Sequence, residues 1–209
     1  MVCFALREEA APFRALAGAR PDVFILVTGV GKTNSINSLR KTFENFIPLR
    51  LFTCGYAGGL NPQLASGDLV MDSDPAFDRQ AQLRAAGVQP ARFLCGDRIL
   101  TTIPEKQTAW AATRCDAVEM ESEAIRQLCR ERGVPAATVR VISDAATETL
   151  PLDFNRLMKP DQSIHLGRLA LALMKAPGKV PELMRMHRRF QAAGRKLAQA
   201  LSQALPAQG

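Results

Sequence analysis

The sequence predicts an α/β fold in three layers, with helices on both faces of a mixed, mostly parallel sheet. Two observations carry that expectation. Short apolar or β-branched runs at residues 2–6, 23–27, 50–54 and 137–142 alternate with stretches of helical periodicity, the pattern of successive βα units. The run at 23–27 is apolar without alternation, as in a strand covered on both faces. Where these runs end, glycines or acidic side chains follow, and the ends of parallel strands are where α/β sheets bind ligands. A chain of 209 residues with 47% hydrophobic content suffices for one sizeable core.

Composition narrows the chemistry. The five cysteines (Cys3, Cys54, Cys95, Cys115, Cys129) are scattered, with no paired or metal-ligand spacing, which fits reduced thiols in a cytoplasmic protein. The apolar residues 1–6 are too short for a signal peptide, and no run is long enough to span a bilayer. Both histidines, His165 and His187, lie near the C-terminus, which argues against a Ser-His-Asp triad and against a histidine-rich metal site. No metal is expected.

The charge divides the chain into a body, residues 1–155, and a basic extension, residues 156–209. The extension carries ten Lys/Arg against two Asp/Glu, so the overall +7 belongs to it. It reads as two amphipathic helices, 166–175 and 180–205, separated by Ala176-Pro177-Gly178. The favoured reading packs it on the same domain with a solvated basic face. The alternative is peripheral contact with the anionic inner face of a membrane. Phe190 alone interleaves aromatic character, so no nucleic-acid partner is expected.

In chain order, the strand at 2–6 leads into a helix beginning near Arg7. Glu8 and Glu9 suit the dipole of its first turn, or else sit at the ligand end of the sheet. The strand at 23–27 runs into Thr28-Gly29-Val30-Gly31-Lys32-Thr33. Leu26 stands where a Walker loop needs glycine, and Asn34 fills the third glycine of a dinucleotide fingerprint. A tight glycine turn remains, whose N–H groups can bind phosphate or a nucleoside oxygen. The next strand feeds a loop, Gly55-Tyr56-Ala57-Gly58-Gly59, that lets backbone approach a ligand; Cys54 before it reads as core. Residues 64–71 are a turn into a strand, 73–92 a polar helix-like stretch, 93–99 a strand breaking at Gly96-Asp97, and 101–110 a connection. Asp144, after Ser143, caps the next segment or faces the ligand.

The stretch from Asp116 reads as an amphipathic helix running to Arg132. Ala117, Val118, Ala124, Ile125, Leu128 and Cys129 share its apolar face, and Glu119, Glu123, Arg126 and Arg130 the charged one. Glu121 falls in the middle of the apolar face. A bare buried carboxylate costs several kcal/mol, on the order of 3 or more, so it must be paired, protonated or functional.

Taken in order, the acidic pair Glu8/Glu9, the Gly29–Lys32 turn, the 55–59 glycine loop, Val118-Glu119-Met120-Glu121 and Ser143-Asp144 resemble the nucleoside phosphorylase and nucleosidase superfamily. The nearest likeness is to its 5′-methylthioadenosine/S-adenosylhomocysteine nucleosidases, over about residues 2–146. The resemblance implies a phosphorylase/hydrolase-like fold and cleavage of the N-glycosidic bond of an adenine-type purine nucleoside, by phosphorolysis or hydrolysis. It implies that Glu121 binds the ribose hydroxyls, Met120 packs on the sugar, Asp144 protonates the leaving base and Glu9 orients the attacking water. Gly58, Ser143, Arg98 and Ile99 would line the substrate site, and Gly29, Gly31, Tyr56 and Ala57 the phosphate or water site. No cofactor is implied, with phosphate open as a co-substrate, and a homo-oligomer is expected. This chain departs from the family in three places. Tyr56 replaces a serine, Ile99 stands where an aromatic stacks on adenine, and the hairpin before Arg20 is trimmed. The short core and the Leu150-Pro151-Leu152-Asp153-Phe154 start of the basic tail are similar to hopanoid-associated phosphorylases, which implies a membrane-lodged adenosine lipid as the alternative substrate. A non-catalytic nucleoside-binding protein on the same fold is the reading from another class.

Overall fold

The sheet is built around β3 (Leu51–Gly59), which pairs in parallel with β1 (Val2–Phe4) on one side and β8 (Ala136–Asp144) on the other. The computed structural model describes residues 1–18, 20–157 and 177–205. Beyond β1 lies β2 (Ile25–Val27), parallel to it; beyond β8 lie β4 (Leu69–Ser73), antiparallel, and β5 (Gln89–Pro90). A branch leaves the end of β3, where β7 (Ala117–Glu119) pairs with it antiparallel and β6 (Phe93–Cys95) runs parallel to β7. The mixed, mostly parallel sheet expected from the sequence is thus present.

All nine residues of β8 are buried, as their β-branched, unalternating run demands of a central strand. The run at 23–27 differs from expectation: β2 is an edge strand with its residues only half-buried, and among the described residues no strand lies beyond it.

The helices cover both faces. On one, α1 (Arg7–Ala17) buries Ala10, Phe13 and Ala17 at helical spacing, joined by Leu83 of α3 (Gln80–Ala85). The C-terminal α7 (Val180–Ala204) completes that face with Ala193, Leu197, Ala198, Leu201 and Ala204. Burying a side chain such as Phe13 contributes roughly 1.5–3 kcal/mol. On the other face, Leu39 and Phe43 of α2 (Lys32–Phe43) meet Ile125, Leu128 and Cys129 of α5 (Ser122–Glu131) over Leu51 and Ala136. The basic side chains of α7, Arg185, Arg188, Arg189, Arg195 and Lys196, are exposed. The expected helix at 166–175 lies outside the described residues. A short α6 (Phe154–Leu157) precedes them.

Three local expectations are corrected. Residues 101–110 are no connection: they hold most of α4 (Ile103–Thr113), opened by a capping box in which the Thr102 N–H and hydroxyl both meet Glu105 Oε2 at 3.0 and 2.9 Å. Within 73–92 the helix is confined to α3. The 55–59 glycine segment is no loop either; it is the second half of β3.

Candidate active site

The site forms where β3 loses a neighbour. β1 pairs with β3 only as far as Cys54, and β7 begins to pair at Gly58. Between them one edge of β3 is unpaired, and the Tyr56 N–H there donates to Glu9 Oε1 at 3.2 Å. Glu9 Oε2 accepts from the Leu6 N–H at 3.1 Å, which caps α1. Both oxygens therefore have backbone donors, and the carboxylate lies over Gly55. A Cβ at Gly55 would sit 2.9 Å from Glu9 Oε1, so only glycine admits this approach. Glu8, by contrast, is exposed.

Glu121 arrives from the opposite side for a reason the sequence misassigned. Asp116 does not open a helix. Ala117–Glu119 is strand β7, and α5 begins only after Glu121, its N-cap. Glu119 is therefore not on a charged outer face; it is 4% exposed and ties the turn together. Its Oε2 accepts from the N–H groups of Glu121 and Ser122 and from Arg140 at 3.0, 2.8 and 2.7 Å, and its Oε1 from the Ser122 hydroxyl at 2.7 Å. This knot fixes the backbone at Glu121, whose Oε1 accepts from the Gly31 N–H at 2.8 Å. Gly29 and Gly31 take φ values of +84° and +83°, which builds the turn that offers that N–H. The expectation of a buried, partnered carboxylate at Glu121 holds, while its helical-face rationale does not.

Arg140, fully buried on β8, faces all of these acids. Its Nη2 lies 2.7 Å from Glu119, 3.8 Å from Glu121 and 3.2 Å from the Thr53 hydroxyl. Three buried carboxylates share this guanidinium, and they divide. Burial would raise Glu119, but Arg140 and the Ser122 and Glu121 donors outweigh it and hold Glu119 below the usual carboxylate range. Burial pushes Glu9 up to about 7, with Arg140 opposing and Glu121 adding. Burial likewise raises Glu121, against Arg140 and with Glu119. Within the cluster, Arg140 and the hydrogen-bond donors favour the ionised form of Glu119, whereas burial disfavours that form at Glu9 and Glu121.

Asp144 ends β8 a short way along. A bulge after Ala57 brings Gly58 opposite it, and a Cβ on Gly58 would lie 3.6 Å from Asp144 Oδ2. Gly55 and Gly58 are three residues apart on β3, so the Glu9 and Asp144 positions are separated by roughly 10 Å along the strand. The Ser143 hydroxyl stands 2.5 Å from Asp144 Oδ1 and 3.1 Å from the Ala57 carbonyl. Asp144 Oδ2 accepts from Lys106 Nζ at 2.5 Å, and that ammonium, 0% exposed, also donates to the Ala145 and Glu148 carbonyls at 2.8 Å each.

The other sequence-derived residues fall unevenly around this centre. Met120 is buried in the turn between β7 and α5, beside Glu121. Tyr56 contributes its N–H to the site, but its phenol is turned to α7, where the hydroxyl donates to the Phe190 carbonyl at 2.9 Å and the rings stack 5.1 Å apart. Burial raises that phenol to about 12. Ile99 exchanges both backbone hydrogen bonds with the Asn155 side-chain amide, at 3.0 and 2.9 Å. Arg98 is drawn out of the group, because its guanidinium is exposed and pairs with Glu105 at 2.6 Å on α4. Three residues escaped the sequence reading: Arg140, Lys106 and Glu119. An arginine inside the β-branched run of β8 was a signal for the first, and Thr-x-x-Glu before Lys106 would have placed the second on a helix.

The three-layer α/β fold holds Glu9 and Asp144 beside its central strand β3, with Glu121 and Arg140 close by. The sequence model of the phosphorylase superfamily matches residues 73–175. The 5′-methylthioadenosine/S-adenosylhomocysteine nucleosidase of Shewanella halifaxensis is 26% identical over 194 residues, covering 75% of this chain and 83% of that enzyme. The corresponding nucleosidase of Helicobacter pylori, solved with butyl-thio-DADMe-Immucillin-A, superposes with a TM-score of 0.70 at 18% identity, over 97% of this chain and 95% of that one. Futalosine hydrolase from Helicobacter pylori gives 0.69 at 17% identity, over 97% and 95%. The chain is similar to the phosphorylase superfamily over residues 73–175 and is an enzyme of the nucleoside phosphorylase or nucleosidase kind. The likeness also extends beyond residue 146, where the sequence resemblance stopped. Among the described residues, no helix is long and apolar enough to cross a membrane.

Proposed function

We propose that this chain cleaves the N-glycosidic bond of an adenine-type purine nucleoside. The observation that carries the proposal is the grouping of three buried carboxylates from distant segments: Glu9 over Gly55 and Asp144 beside Gly58 on β3, with Glu121 on the Gly31 N–H and facing the same Arg140 as Glu9. Breaking the bond builds positive charge on the sugar and negative charge on the departing base, as in glycoside hydrolysis. Glu121 and Met120 hold the ribose and its developing charge. Asp144, with Ser143 beside it, delivers a proton to the base. Glu9, pushed up to about 7, takes the proton of an attacking water; with phosphate as nucleophile that step is not needed. The backbone around Gly29, Gly31, Tyr56 and Ala57 borders the nucleophile's side. No metal or redox cofactor enters this scheme, and the working protein is a homo-oligomer.

The test is base release from a panel of purine nucleosides, with and without phosphate, by wild type, Asp144→Asn and Glu121→Gln. Phosphate-independent release lost in both variants makes the chain a nucleosidase; phosphate-dependent release makes it a phosphorylase. Absence of release from every nucleoside, a lipid-linked one included, leaves a binding protein and sinks the proposal. The exposed basic face of α7 favours one variant of the reading, in which the nucleoside is carried on a lipid at an anionic membrane surface. Flotation of the full chain with anionic liposomes supports it, and failure to float removes it.

A further inference from the structure

Lys106 projects from the first turn of α4 into a fully buried position, and its three ammonium protons have three acceptors: Asp144 Oδ2, the Ala145 carbonyl and the Glu148 carbonyl. Taking such an ion pair out of water costs several kcal/mol per ion, and an apolar side chain of similar size would fasten the 144–148 segment with less penalty. The charge therefore calls for more than a structural reason. Asp144 receives a hydrogen bond from Lys106 on Oδ2, and on Oδ1 it faces a Ser143 hydroxyl whose one proton is shared with the Ala57 carbonyl. In this arrangement the carboxylate accepts on both oxygens, and of its two donors the Lys106 ammonium gives up a proton more readily than an alcohol hydroxyl.

We infer that Lys106 is a positioning residue for the leaving base, acting through Asp144 as the reservoir of the proton that the base receives. The inference rests on the nucleosidase reading above. As the bond between the sugar C1′ and the base nitrogen breaks, its electron pair goes to the base. The base nitrogen takes a proton relayed from Lys106 Nζ through the Asp144 carboxylate, so Asp144 ends in the state in which it began and Lys106 ends as a neutral amine. Water or phosphate oxygen bonds to C1′, and water's proton goes to Glu9. Solvent reprotonates Lys106 and deprotonates Glu9 after the products leave, so the cycle closes.

Of the other charged groups nearby, Glu105 on α4 is engaged by Thr101, Thr102 and Arg98, and the Glu148 side chain pairs with Arg189 of α7 at 2.8 Å. Asp144 is thus the acid that Lys106 serves.

The experiment compares kcat/KM against pH for a purine nucleoside and for p-nitrophenyl riboside, whose phenolate departs without a proton. Lys106→Gln removes the charge, and Lys106→Arg keeps it but gives up no proton. Both variants should slow purine release by about 10²- to 10⁴-fold, the usual weight of a proton-transfer step, while p-nitrophenyl riboside cleavage stays within about threefold of wild type. In Lys106→Gln the alkaline limb of purine release should move to lower pH. Equal losses on both substrates, an unmoved limb, or a full wild-type rate in Lys106→Arg would each overturn the inference while leaving the nucleosidase reading intact. Wild type that cleaves neither substrate overturns that reading and this one with it. Should both variants fail to fold, wild type alone decides: an alkaline limb for the purine that is absent for p-nitrophenyl riboside supports the reservoir, and identical profiles refute it.

Discussion

Replacing Arg140 by Met tests the electrostatic account of the site most directly. The guanidinium is the shared counter-ion of Glu119 at 2.7 Å and Glu121 at 3.8 Å, and both it and Glu119 are nearly inaccessible to water. Methionine fills much of the same volume, so the change removes charge more than packing. Breaking a buried pair by removing one partner costs about 3–5 kcal/mol, because the surviving charge is left unpaired. For a chain of this length each kcal/mol shifts the unfolding temperature by roughly 2–4 °C, so a fall of about 6–20 °C is expected at pH 7. The pH dependence sharpens the test. In wild type Glu119 is held below its unfolded range, so its stabilisation is present above the unfolded value and is lost as pH falls through the folded one. Without Arg140, burial dominates and the sign reverses: the carboxylate then destabilises above its unfolded value. The variant's deficit should therefore shrink as pH falls from 7 towards 5. Adding Glu119→Gln should recover part of the loss, about 1–3 kcal/mol by thermal and urea unfolding. A shift under about 2 °C, or a double variant no more stable than Arg140→Met alone, would refute the shared-counter-ion account.

Other consequences follow from neighbouring contacts. Glu9→Gln should stabilise the protein at alkaline pH: a carboxyl raised to about 7 costs stability as pH rises through that value. Urea titrations should show a gain of up to about 3 kcal/mol at pH 8 and none at pH 4, with base release from the nucleosidase reading reduced. Gly55→Ala puts a Cβ 2.9 Å from Glu9 Oε1, so a loss of about 1–3 kcal/mol is expected, with an altered pH profile as Glu9 is displaced. Tyr56→Phe deletes the hydrogen bond to the Phe190 carbonyl and should cost about 0.5–1.5 kcal/mol in unfolding; an unchanged stability would mean the phenol does not anchor α7.

The central strands were readable because their apolar runs are local and long enough to reveal burial. β8 is the clearest case, and it is buried throughout. The failures occurred where a short element's fate depended on distant partners. Ala117–Glu119 has helix-compatible residues, and only pairing with Gly58–Gly59 and β6 makes it a strand. The 55–59 segment carries three glycines, which read as a loop. Its glycines serve approach by Glu9 and Asp144 while the backbone stays paired with β8. Residues 101–110 hold a capping box, Thr102 with Glu105, that is legible in the sequence.

In the site, the acids were visible and their counter-ions were not. Glu9, Glu121 and Asp144 were conspicuous because a carboxylate beside an apolar run contradicts its surroundings. Lysine and arginine are common on exposed helix faces, so Lys106 blended into an apparently polar connection. The contacts that decide its role span 38 residues in sequence, to Asp144, and those of Arg140 span 21, to Glu119. No periodicity encodes such pairings. Yet they set the chemistry: an acid that accepts from a buried ammonium behaves differently from one isolated in an apolar pocket. The family resemblance gave Asp144 alone the task of protonating the leaving base. The structure places a second proton-bearing group in contact with it, so the question for the leaving base becomes how a lysine–aspartate pair passes on its proton.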